Sequence, residues 1–185
     1  MNLIKRINYW TCLWAIPLIA AFVVAIWAIW MRPLSGLDAS AALYSQAQAM
    51  LDEDWAERPG SEHNPRIITA LAAVVGKRNP LSQADETAWC AAALAHAMRA
   101  SQLRPKRSLR ARDYLNWGRE VSLDEVVPGD IVIFWRVSPE SWQGHVGVFS
   151  HFDRNGNLVM IGGNQRGDWR ELTYARARVI GARRG

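Results

Sequence analysis

Residues 85–100 read DETAWCAAALAHAMRA, and this stretch decides the fold. Leu94, Ala97 and Met98 recur at helical spacing, and the surrounding alanines lose no side-chain entropy in a helix. The pattern predicts a helix from Cys90 to Ala100, with Thr87 as its N-cap and Asp85 and Glu86 capping the approach. Cys90 then opens the helix. Unpaired N–H groups and the positive end of the dipole at that point favour a thiolate and lower its pKa.

Downstream the periodicity changes. Pro128-Gly129-Asp130 forms a turn before Ile131–Trp135, an apolar β-rich run that reads as a strand. His145–Ser150 reads as a second strand. Asn155-Gly156 predicts a tight hairpin turn into Leu158–Ile161, and a final strand is expected over Tyr174–Ile180. Upstream, Asp38 is expected to cap a helix running to Glu53. A turn-rich loop at Arg58–Pro65 precedes a short helix, Arg66–Val75, that stops at Gly76. Arg99–Arg112 is a basic connector leading to a short helical piece at Ala111–Trp117. Helices first and an antiparallel sheet second define an α+β class.

The chain has 185 residues, enough for one core. Its formal net charge of +5 favours anionic surfaces: nucleic acid, lipid headgroups or an acidic wall polymer. No zinc-spaced cluster and no basic run interleaved with aromatics is found, so nucleic acid is not expected as a partner. No His-Glu-x-x-His motif is found, and Gly162-Gly163-Asn164-Gln165 lacks the Gly-Lys-Ser/Thr of a phosphate loop. No metal and no cofactor are expected. Two cysteines make no disulfide framework. Cys12 lies in an apolar run, and a pairing of Cys12 with Cys90 enters only as a regulatory idea.

Residues 11–31 (Thr11 to Met31) carry no formal charge. At about 1.5 Å per residue such a helix spans roughly 31 Å, enough to cross a hydrocarbon core. Tyr9, Trp10, Trp27 and Trp30 flank it as interfacial aromatics do. Lys5 and Arg6 before it favour a cytoplasmic N-terminus. The expected organisation is a cytoplasmic tail at 1–10, a transmembrane helix or signal anchor at 11–31, a linker at 32–39 and one domain at 40–181. A cleaved signal peptide with Ala39-Ser40-Ala41 as its processing site is the alternative. Both readings export the domain, and the anchored one places it in the periplasm on a single-pass inner-membrane protein.

Cys90 is the candidate nucleophile and His145 the candidate base, because a neutral imidazole beside Gly144 can accept a thiol proton. Asn164 is the candidate for holding the imidazole in the correct tautomer, with Gln165 as the nearest substitute. Taken alone, Cys90 reads equally as an inert core thiol and His145 as a structural histidine. Trp89, Trp135, Trp142 and Gln165 are substrate-groove candidates, with packing as the alternative for the tryptophans. Arg99, Arg104, Lys106, Arg107, Arg110 and Arg112 form either an anion-binding surface or a solvated face.

Asp85–Ala92, Pro128–Phe134, Gly144-His145-Val146-Gly147 and Gly162–Gln165 together resemble the NlpC/P60–CHAP superfamily of cysteine peptidoglycan hydrolases. They are most similar to its small phage- and bacteria-borne branch. Glu57-Arg58-Pro59-Gly60 and His63–Ile67 fit the same branch, and the resemblance covers about residues 40 to 181. Ala88 departs from it, since relatives often carry proline there. The resemblance implies a papain-like fold, Cys90, His145 and Asn164 as the catalytic set, and an amide bond of peptidoglycan as substrate. With the apolar segment it implies an exported or anchored phage or prophage endolysin. A secretion-system effector with an immunity-protein partner, a wall-remodelling hydrolase, and a non-catalytic peptidoglycan-binding protein are the alternatives.

Overall fold

The computed structural model describes residues 35–185, a unit with its own core. The expected tail, membrane segment at 11–31 and Cys12 lie outside the described residues. Among the described residues no helix is long and apolar enough to cross a membrane.

Helix α1 runs Gly36–Ala49, α2 Pro65–Val75 and α3 Cys90–Ala100. Six strands follow: β1 Arg119–Val121, β2 Ile131–Trp135, β3 Gly144–Phe152, β4 Leu158–Gly162, β5 Arg170–Tyr174 and β6 Val179–Arg184. They form one antiparallel sheet in the order β1-β6-β2-β3-β4-β5. The architecture is α+β, as expected.

Strand β2 has the expected bounds, and β3 and β4 differ from expectation at their ends. Two strands differ more. The single strand expected over Tyr174–Ile180 is two strands broken by a 3-10 turn at Arg176–Arg178, and β1 was not foreseen. The helical piece at Ala111–Asn116 is also 3-10. Helix α1 starts inside the stretch read as linker. Its N-cap is Ser35, and Asp38 is the reciprocal acid of a capping box: Ser35 Oγ accepts from the Asp38 N–H at 3.2 Å.

One face of the sheet carries Ile131, Ile133, Val146, Val148 and Ile161 against the three helices. Helix α3 is buried nearly all round, which its alanines permit. Ala91, Ala92, Ala93, Ala95 and Ala97 have no exposed surface, so the helix backbone approaches the sheet closely. Trp55 and Trp89 stack at 6.2 Å beside it, each supplying roughly 1.5–3 kcal/mol by burial. The other face holds a smaller cluster that includes Val132, Phe134, Leu158 and Met160.

The Pro128-Gly129-Asp130 turn fastens α1 to the sheet. Gly129 has φ 98°, and a β-carbon there would lie 1.7 Å from the Ser40 carbonyl oxygen, so only glycine fits. Asp130 is fully buried and accepts from Arg184 Nε at 2.7 Å, Arg184 Nη2 at 2.6 Å and Ser40 Oγ at 2.8 Å. This motif is structural.

Candidate active site

Cys90 is the first residue of α3, preceded by Trp89, which makes no side-chain cap. Neither Thr87 nor the two acids cap the helix. Asp85 is instead fully buried and accepts from the N–H groups of Asn64 at 2.7 Å and Arg58 at 3.0 Å, with His63 Nδ1 at 3.1 Å. Burial alone would raise this carboxyl, but the two backbone donors and His63 hold it below the usual range. Asp85 therefore ties the 58–64 loop to the approach of the nucleophile helix.

The first turn of α3 packs on the turn that leaves β4. A β-carbon on Gly163 would sit 2.4 Å from Trp89 Cζ3 and 2.8 Å from Ala93 Cβ. Trp89 has no exposed surface and donates Nε1–H to Glu57 Oε1 at 2.8 Å. It is a core residue and not part of a groove. This packing brings Cys90 to the start of β3, where it lines one cleft with Gly144 and shares the helix-side core with Val146.

His145 is the residue just before Val146. It is 1% exposed, pairs across the sheet with Phe134, and stacks on Tyr174 at 5.2 Å with the rings 15° apart. Arg136 Nη2 lies 3.5 Å from its Nδ1. Burial, reinforced by the Arg136 charge, pushes the imidazole down to about 3. Burial also pushes the Cys90 thiol up. Arg136 and the backbone amides oppose that rise without overcoming it. The resting pair is thus a neutral thiol and a neutral imidazole, in contrast to the lowered thiol expected from the helix dipole. The desolvation of a side chain 3% exposed outweighs the opposing Arg136 charge and backbone amides.

The third group at this site is Gln165. Its carboxamide carbon and His145 Nε2 both lie 3.6 Å from where a Gly162 β-carbon would be. Gln165 Nε2 donates to the carbonyls of Met160, at 3.3 Å, and Arg170. With the amide nitrogen so engaged, Oε1 is the atom left for the imidazole. Oε1 and His145 Nε2 are both buried and fall short of full hydrogen-bond geometry with any group. The carboxamide beside the ring works against the downward push of burial on His145. Asn164, half-buried with φ 57°, makes no side-chain hydrogen bond among the described residues. The amide that shares the space over Gly162 with His145 is Gln165, the neighbour of the expected Asn164. Left-handed backbone at Asn164 and Arg166 turns the chain sharply on either side of Gln165.

A cleft of about 490 Å³ opens on Cys90, lined by residues that include Leu81, Thr87, Arg110, Arg136, Trp142 and Gly144. Trp142 is 71% exposed at this cleft. Trp135 does not line it. That ring carries the Arg178 guanidinium at 5.2 Å and donates to the Ala177 carbonyl. The basic connector is not uniform either. Arg99 reaches the Ala73 carbonyl at 3.2 Å, Arg112 the Pro139 carbonyl at 2.7 Å, and Arg110 the cleft. Arg136 and Tyr174 were not foreseen. Neither lies in a motif: Arg136 follows β2, whose Phe134 pairs with His145, whereas Tyr174 ends β5 opposite Leu158 and meets His145 by ring stacking outside the ladder.

His63, Asp85 and Glu86 lie close together, yet the donor and acceptor pattern of Asp85 already accounts for two of them. No protein-family model matches the chain, and no curated protein matches it. Among solved structures, the chain is similar to a crystal structure described as similar to a lipoprotein of the NLP/P60 family, from Staphylococcus aureus subsp. aureus Mu50. The TM-score is 0.44 at 16% identity, with 79% of this chain and 41% of that chain covered. The chain thus spans less than half the length of that protein.

Proposed function

We propose that this protein hydrolyses an amide bond of peptidoglycan through Cys90, His145 and Gln165. The observation that carries the reading is a helix-opening thiol that lines one cleft with Gly144, next in sequence to a buried strand histidine whose ring shares the space over Gly162 with the Gln165 carboxamide. The ordered motifs resembling NlpC/P60–CHAP hydrolases support the choice of substrate.

With its Nε2–H turned to Gln165 Oε1, His145 keeps Nδ1 as its basic nitrogen. The Cys90 proton passes to Nδ1 as sulfur bonds to the carbonyl carbon. The Cys90 N–H at the helix start is the donor for the developing oxyanion. The C–N bond then breaks, and the imidazolium gives its proton to the departing amine. Water, deprotonated by His145, attacks the thioester, returning the thiol and releasing a carboxylate.

The charge pattern around residues 11–31 supports a single-pass anchor in the inner membrane with this domain in the periplasm. That location fits an endolysin of phage or prophage origin, and an effector or remodelling enzyme would use the same chemistry. Digestion of purified sacculi with the full-length chain, followed by mass spectrometry of the soluble fragments, tests the reading and names the bond. New amino and carboxyl ends at one amide are expected. Intact sacculi, bound or unbound by the protein, would falsify it.

A further inference from the structure

The cleft that opens on Cys90 has a one-sided charge. Its lining holds two guanidinium groups, Arg110 and Arg136, and no carboxylate. Both arginines are exposed, and neither forms an ion pair among the described residues. Neighbouring arginines are committed elsewhere. Arg112 braces the loop carbonyls of Ser138, Pro139 and Gln143, Arg178 binds the Trp135 carbonyl, and Arg176 pairs with Asp124. The one polar contact of the Arg136 side chain among the described residues is 3.5 Å to His145 Nδ1, the outer limit of hydrogen bonding. That guanidinium is therefore free to turn to a ligand.

The rest of the lining is largely apolar, with Leu81, Ala88, Leu109, Ala111 and Trp142 around the two charges. A ligand seated there excludes water, and a guanidinium–carboxylate pair strengthens as the local dielectric falls. The planar fork of arginine also matches a carboxylate with two parallel N–H bonds.

We infer that this cleft selects amide substrates carrying a free carboxylate beside the scissile bond, with Arg136 as its principal grip and Arg110 as a second. The inference rests on the hydrolase reading above and narrows its substrate class. Arg136 stands next to the reacting atoms and Arg110 farther along the connector, so the carboxylate nearest the cleaved amide is the one read by Arg136.

The test uses the full-length chain and two synthetic muropeptides of one sequence, one with free side-chain carboxylates and one with those groups amidated. Wild type should favour the free acid by about 10- to 100-fold in kcat/KM, the range of one or two charge-assisted hydrogen bonds. Arg136→Gln should bring the ratio close to unity. Arg136→Lys should keep part of it, and Arg110→Gln should lower it less than Arg136→Gln does. Melting temperatures should match wild type, since both side chains are exposed. Equal cleavage of the two muropeptides by wild type overturns the inference and leaves the hydrolase reading standing. So does an Arg136→Gln enzyme that loses activity on both by the same factor and keeps the wild-type ratio. Cleavage of neither muropeptide by wild type removes the hydrolase reading and this inference together.

Discussion

The Gln165 carboxamide and the His145 imidazole share the space over Gly162, each within 3.6 Å of the place a β-carbon would occupy there. Because Gln165 Nε2 is held by two backbone carbonyls, the orientation of the amide is fixed before any substrate arrives. Replacing Gln165 by Ala should lower kcat/KM by about 10²-fold, the scale of losing an oriented acid–base partner. Asn164→Ala should change it little. Steady-state kinetics on the two variants distinguishes the adjacent amides, and the opposite ranking would return the role to Asn164.

Gly163 is where α3 and the sheet meet most tightly. Gly163→Ala puts a methyl against the Trp89 ring and Ala93. The expected cost is about 1–3 kcal/mol of stability, as for other overpacked sites. A lowered urea midpoint accompanied by lost activity is expected, since the same contact sets the position of Cys90.

Asp130 and Arg184 form a buried ion pair that closes the sheet on α1. Asp130→Asn strands a buried guanidinium, and breaking such a pair costs about 3–5 kcal/mol. Chemical denaturation should show the loss. A double variant with apolar residues at both positions should recover part of it.

The pH behaviour follows from burial. His145 is pushed from the ordinary 6.5 down to about 3, so it stays neutral through mildly acidic conditions. The acid limb of kcat/KM should therefore lie well below pH 6.5. For stability, the unfolded chain takes up the proton first, so the His145 contribution is complete above 6.5 and declines as pH falls toward 3. His145→Asn should flatten that part of the stability profile. Alkylation of Cys90 by iodoacetamide should accelerate only above the ordinary thiol range, because burial raises that pKa.

Much of this was legible in the residues. Strand β2 is apolar throughout and bounded by a Pro-Gly turn, and α3 is an alanine run opening at Cys90. Other features were hidden for physical reasons. Tyr174–Ile180 alternates well enough to read as one strand, yet the chain crosses the sheet at Arg176–Arg178, from the β5 edge to β6 between β1 and β2. Strand β1 has three residues and one buried side chain, too short for a period to show. Ser35 and Asp38 are both good caps, and only geometry assigns their places in the box. Asn164 and Gln165 are neighbouring amides, and the left-handed backbone that aims one of them inward has no signature in side-chain chemistry. Arg136 reaches His145 through the pairing of β2 with β3, and Tyr174 reaches it by a ring contact outside the ladder.

The central claim is covalent chemistry at Cys90, and rapid-quench intact-mass spectrometry of the full-length chain mixed with a muropeptide tests it most directly. A transient adduct of the acyl fragment is expected, located by peptide mapping to the segment containing Cys90. Cys90→Ala should form no adduct and release no amine. Release of amine by Cys90→Ala at the wild-type rate, or an adduct mapped to another residue, would contradict it.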